Sequence, residues 1–121
     1  MKKFVLLLVA FIMLIGFISC NKEKKQIIGT WTKYENNDTI TLTYTKGGSI
    51  TVSSAAYNTS GTYWFESVDT QETAKMYINT DDCDGEAIYH PLFEGNGLYM
   101  RINVDTCHTR SEKISGQFVK K

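Results

Sequence analysis

The sequence predicts an all-β fold: eight antiparallel strands that meander into an up-and-down barrel behind an N-terminal export signal. Three observations carry this reading. From Ile27 onward, apolar and polar residues alternate with a period of two. Clusters of Gly, Asn and Asp interrupt the alternation at hairpin spacing. No stretch sustains a helical period, and Asp69 to Lys75 allows one helical turn at most. Even strands with short links fit a closed meander or a sandwich. Closure removes the unpaired edges that an open meander would expose.

The chain of 121 residues begins with Lys2 and Lys3, an apolar run from Phe4 to Ile18, then Ser19 and Cys20. A basic head, a short apolar stretch and a small terminal residue make a secretory signal peptide. The run is shorter than the roughly 20 residues that a spanning helix needs. Phe17-Ile18-Ser19-Cys20 resembles the lipobox of bacterial lipoproteins, in which the cysteine is acylated and becomes the new N-terminus. That resemblance implies residues 1–19 as signal peptide and Cys20 as the lipidation site. It places the chain in the cell envelope, held to a membrane on its extracytoplasmic side. Asn21 to Gln26 is charged and lacks apolar anchors, so residues 20–26 read as lipidated cysteine and flexible tether. Residues 27–121 remain as one domain with a modest core.

Ile28 to Glu35 is the first expected strand, closed by Asn36-Asn37-Asp38. In Thr39 to Thr45, Ile40, Leu42 and Tyr44 share one face and threonines the other, the pattern of a half-buried strand. Lys46-Gly47-Gly48 supplies a turn, and Ser49 to Ser54 returns with Ile50 and Val52 inward. Gly61 to Val68 carries Tyr63, Trp64 and Phe65. Ala74 to Asn79 places Ala74, Met76 and Ile78 on one face. Glu86 to Phe93 is weaker, because Pro91 belongs at a strand edge or end. After Glu94-Gly95-Asn96-Gly97, the residues Leu98, Met100, Ile102 and Val104 alternate with polar ones. Lys113 to Val119 closes the series with Ile114 and Phe118 inward.

The export signal removes Lys2 and Lys3, leaving 11 basic against 13 acidic side chains. A near-neutral chain offers no basic face for phosphate backbones, so nucleic acid is not an expected partner. Cys83 and Cys107 form one pair in an oxidising compartment. Two buried free thiols are the alternative. Both cysteines sit among polar loop residues, which favours a bridge. In a meander, the link holding Cys83 and the link holding Cys107 emerge at one rim, within bridging reach.

Ile28-Gly29-Thr30-Trp31 resembles the Gly-x-Trp opening of lipocalins. The ordered series Gly29-Thr30-Trp31, Ile40 to Tyr44, Lys46-Gly47-Gly48, Ile50 to Val52 and Gly61-Thr62-Tyr63 is similar to short bacterial lipocalin-like lipoproteins across about residues 27–68. The resemblance implies a calycin-type barrel with Gly29 and Trp31 at its closed end. It also implies an arginine over the tryptophan, Arg101 or Arg110, in a cation–π contact.

Tyr44, Tyr63, Phe65, Met76, Met100 and Phe118 are the expected inward residues and candidate ligand contacts. An eight-stranded barrel either fills itself with side chains or holds one small ligand. The expected function is therefore a non-enzymatic binding module for a small apolar or amphipathic ligand. The alternative is a solid-core structural or inhibitory envelope protein whose rim loops meet a protein partner. Asp81, Asp82, Asp84 and Glu86 offer oxygens to a cation. Thr80 and Pro91, however, occupy the first and last positions of a calcium loop, so no metal is expected. His90 and His108 lack a spaced ligand set. His108 with Asp105 makes at most a dyad without an activated serine motif. No catalytic residues and no cofactor are expected.

Overall fold

The computed structural model describes residues 22–66 and 74–121, with side chains from Lys25 onward. Eight strands close into one antiparallel barrel in sequence order, β1-β2-β3-β4-β5-β6-β7-β8. The strands are β1 Gly29–Glu35, β2 Asp38–Tyr44, β3 Ser49–Ser53, β4 Asn58–Phe65, β5 Met76–Thr80, β6 Ala87–Glu94, β7 Gly97–Val104 and β8 Gly116–Lys120. Among the described residues two short helices accompany them: α1 Lys22–Ile27 and α2 His108–Ile114. The lipobox, including Cys20, lies outside the described residues, as do Val68 and most of the candidate turn at 69–75.

The turns follow from backbone chemistry. Asn36 and Asn37 both adopt left-handed φ, 53° and 61°. That is the two-residue hairpin loop whose twist matches its strands, and asparagine is among the few residues that tolerate it. At Gly61 the constraint is space. A Cβ there would lie 1.9 Å from the Asn79 carbonyl oxygen, so only glycine lets β4 and β5 approach this closely.

The alternation sets the core. Ile40, Leu42, Tyr44, Ile50, Val52, Met76, Ile78, Leu98, Met100 and Phe118 are all buried, as the period of two requires. Pro91 lies inside β6, yet β5 pairs only with Ala87 to Tyr89. Among the described strands, β6 beyond Tyr89 pairs with β7 alone, which puts Pro91 on a local edge.

Three expectations about chain path change. Ile102 and Val104 are half-exposed rather than inward. β8 reaches only as far as Met100, where it pairs through Gly116. Past that point β7 loses one neighbour, and its pairing with β6 carries a register irregularity between Ile88 and Tyr89. The cause is α2, which fills the β7–β8 link and starts β8 at Gly116. Lys113 and Ile114 are therefore helical, not part of the last strand. The segment read as a tether without regular structure contains α1, and it ends on Ile27, fully buried under the barrel.

Closure depends on a short seam. β1 and β8 share two register pairs, Trp31 with Lys120 and Thr32 with Val119. A bond from the Lys121 backbone N–H to the Thr30 carbonyl extends it at 2.9 Å. Lys33 bridges the rest of the gap. Its Nζ donates to the Ser115 carbonyl at 2.6 Å and the Glu112 carbonyl at 3.1 Å, and pairs with Glu35 at 3.0 Å. A cation at a helix C-terminus is favourably placed against the macrodipole.

Candidate functional site

The six inward candidates form one packed cluster. Tyr44 and Tyr63 meet edge to face at 5.1 Å, and Tyr63 meets Phe65 in the same way at 6.2 Å. The Tyr44 hydroxyl points at the Met100 sulfur, 4.0 Å away. Met76, Met100 and Phe118 are fully buried. Burial first, and the neighbouring Tyr63 second, push the Tyr44 hydroxyl far above the ordinary tyrosine range. Tyr63 is raised by burial too, and it donates to the Thr45 carbonyl at 2.5 Å. Five of the six belong to the buried core cluster and Phe65 packs against it, so the interior they line is core.

The two ends of the barrel close by different physics. At the N-terminal rim, Trp31 is 3% exposed, and its Nε1 donates to the Ile27 carbonyl at 2.9 Å. Phe93 tilts against it at 6.0 Å. The cation over its ring is Lys120, with Nζ 5.4 Å from the centroid. Neither expected arginine is there. Arg101 is exposed on β7, opposite His90. Arg110 is fully buried at the other rim. The β1–β8 pairing sets Lys120 beside Trp31, and α2 carries Arg110 away from it.

At that other rim the sulfurs of Cys83 and Cys107 meet as a disulfide, with Cα atoms 6.0 Å apart across 24 residues. Beside it lies a buried ion pair. Arg110 Nη2 donates to Asp105 Oδ1 at 2.9 Å, and Nε reaches both carboxylate oxygens at 3.2 Å. Nη1 donates to the Gly85 carbonyl at 3.1 Å and to Thr80 Oγ1 at 3.3 Å. Asp105 also accepts the Cys107 N–H at 2.9 Å and the Tyr89 hydroxyl. Both charged side chains are 0% exposed. Burial, then the bond to Asp105 and its charge, drive the Tyr89 hydroxyl far up. One arginine thus ties the β5–β6 link, β5 and α2 together. Asp105 makes no dyad with His108, which is exposed at the start of α2.

The acidic loop is solvated and locally bonded. Asp82 accepts the Tyr57 hydroxyl and Thr59 Oγ1, the latter at 2.8 Å. Desolvation raises the Asp82 carboxyl, but these hydrogen bonds outweigh it and hold the group below its ordinary value. The Tyr57 hydroxyl moves up in return, by burial and then by the same bond. Among the described residues, Asp82, Cys83 and Cys107 bring metal-ligating atom types together. The two sulfurs are bonded to each other, which leaves one carboxylate.

Among the described residues, three hollows open at the surface. One of 840 Å³ follows the seam beside Lys33, Tyr34, Ser115 and Gly116. One of 330 Å³ lies between Leu92, Tyr99 and Gln117. The third, of 390 Å³, opens at the N-terminal rim between Lys25, Lys46, Ile28, Trp64 and Phe65. Sequence reasoning missed Arg110 and Asp105 as partners. The available signal was an arginine and an aspartate within five residues, followed four residues later by Ile114, which is a helical spacing. Comparison with protein-family models, curated proteins and solved structures returned no match.

Proposed function

We propose a lipid-anchored envelope protein whose barrel is solid and whose disulfide rim meets a protein partner. The lipobox resemblance at Cys20 supports the anchor. The Gly29-x-Trp31 opening and the strand order support a short lipocalin-like relative. The observation that carries the functional reading is that Tyr44, Tyr63, Met76, Met100 and Phe118 share one buried core cluster with Phe65 packed against it. A barrel filled in this way acts through its surface. Its most rigid surface is the rim fixed by Arg110, Asp105 and the disulfide. Loops on a rigid scaffold are the usual seat of recognition.

Charge reversal at exposed Asp84 and Glu86, which lie outside the buried network, should abolish capture of a stable partner from envelope extracts. Met100→Leu, which changes the interior alone, should leave capture intact. Loss with Met100→Leu but not with the rim variant would reverse the reading. One observation favours the alternative of a small apolar or amphipathic ligand: Tyr63 and Phe65 also border the 390 Å³ hollow. Native mass spectrometry of the gently purified protein tests it. A co-purifying lipid-sized mass would support it, and its absence would leave the partner reading alone. For the anchor, Cys20→Ser should abolish fatty-acid labelling. A variant that still labels would end the lipobox reading.

A further inference from the structure

Charge is divided between the two ends of the barrel. Among the residues whose side chains the structure describes, five basic ones belong to the N-terminal rim. They are Lys25 in α1, Lys46 in the β2–β3 turn, Lys75 before β5, and Lys120 and Lys121 at the end of β8. The same rim carries Glu66 and Glu94. The opposite rim holds eight of the 13 acidic side chains, against Lys33, Arg110 and Lys113. The barrel is therefore acidic at one end and mildly basic at the other.

The basic end carries the 390 Å³ hollow. Lys25 and Lys46 stand at its border, both exposed, and Ile28, Trp64 and Phe65 supply apolar walls. Trp64 is 42% exposed and stacks parallel on Tyr77 at 5.6 Å. Cations beside half-exposed aromatic rings make the composition that settles at a headgroup boundary. Chain length limits where this hollow can go. Lys25 follows Cys20 by five residues, and five extended residues span at most about 18 Å. An acyl anchor at Cys20 therefore holds the hollow within about two Debye lengths of the headgroups.

We propose that this hollow docks on an anionic phospholipid surface, with Lys25 and Lys46 taking headgroup phosphates and Trp64 resting at the acyl boundary. The proposal rests on the anchor reading. It adds an orientation: the N-terminal rim faces the bilayer and the acidic disulfide rim points away. An acyl chain alone would leave the barrel free to tumble on its tether. A second, electrostatic contact removes that freedom.

The test uses the exported, full-length protein reconstituted in vesicles of phosphatidylcholine, alone or mixed with phosphatidylglycerol. Trp64 emission is isolated by difference from Trp64→Phe, because Trp31 is buried. A lipid bearing a quencher near the top of its acyl chain reads depth. The expected result is Trp64 quenching at least about twofold stronger in the anionic vesicles, returned to the neutral level by K25E/K46E or by high salt. Both lysines are exposed, and far-ultraviolet dichroism checks that the variant folds. Equal quenching in both vesicles, with Trp64 open to an aqueous quencher, overturns the docking while leaving the anchor standing. Absence of fatty acid on the purified chain overturns the anchor, and the docking with it. Protection of Trp64 by dispersed fatty acid, but not by vesicles, would make the hollow a ligand pocket and also overturn the docking.

Discussion

Arg110→Met should strongly destabilise this protein, and Asp105→Asn should restore part of the loss. The guanidinium makes five hydrogen bonds, three of them to Asp105. Removing it leaves a carboxylate whose side chain is 0% exposed, with only the Tyr89 hydroxyl and the Cys107 N–H as donors. Breaking one partner of a buried pair costs about 3–5 kcal/mol, because the survivor stays charged without compensation. Domains of this size hold about 5–15 kcal/mol in total. Asparagine at 105 keeps the shape and an acceptor for Cys107, and it removes the charge. The double variant should recover about 2 kcal/mol or more of the loss. Urea unfolding of the purified protein with the disulfide intact, followed by tryptophan emission, measures all four corners of the cycle. A single-variant loss below about 1 kcal/mol would mean that the pair behaves as a solvent-exposed one. Strict additivity of the two substitutions would mean that they do not act on each other. Either result refutes the account of the disulfide rim.

Three further outcomes follow from the same geometry. Trp31→Ala should cost about 3–5 kcal/mol in the urea midpoint, and a change under about 1 kcal/mol would remove Trp31 from the core. Gly61→Ala, a replacement that favours an ordinary strand, should lower the melting temperature, because its methyl would lie 1.9 Å from the Asn79 oxygen; an equal or higher melting temperature would contradict the close β4–β5 approach. Tyr44 and Tyr89 hold their protons far above the ordinary 10.0 in the folded state, so unfolding releases two phenolic protons once pH exceeds about 10. Their contribution is complete below that pH and should fade above it by about 3 kcal/mol per pH unit, with phenolate absorbance rising only as the chain unfolds; phenolate growth in step with pH in a still-folded protein would show these hydroxyls to be solvated.

What the sequence made legible was the part governed by local periodicity. Ile40, Leu42 and Tyr44 point inward because a strand has period two and one wet face. Asn36-Asn37 and the Gly-rich turns announce themselves because few residues tolerate left-handed backbone. The cysteine pair followed from topology, since alternate links of a meander share a rim. The failures share a different cause. Ile102 and Val104 keep the alternation of Leu98 and Met100, and nothing local shows that β8 stops at Met100. α2 spans seven residues, too few for a helical period to stand out, and its inward residues are Arg110 and Ile114. A buried arginine reads from sequence as a surface charge, because its burial depends on an aspartate, a threonine and a carbonyl supplied by three other segments. The cation on Trp31 was expected from a resemblance, but the seam register selects Lys120 instead. Packing partners across the barrel are tertiary facts, and sequence spacing does not encode them.

On the proposed reading, the two rims would let one small barrel be both anchored and available. Closing the N-terminal end took an indole, a phenyl ring and a backbone carbonyl, which exclude water without burying a charge. Closing the far end took a buried ion pair and a disulfide, which fix loops more tightly than apolar contact alone. A rim that only had to keep water out would be served by the first device. The second is conformationally stricter and leaves Asp81, Asp84 and Glu86 exposed around a fixed frame. Strands of five to eight residues, tilted as barrel strands are, set that frame about 20 Å from the opposite rim. With the N-terminal rim held at a bilayer, the acidic frame would stand clear of the headgroup layer and of its counterion cloud. A partner with a basic face would then meet it unscreened by the membrane that holds it.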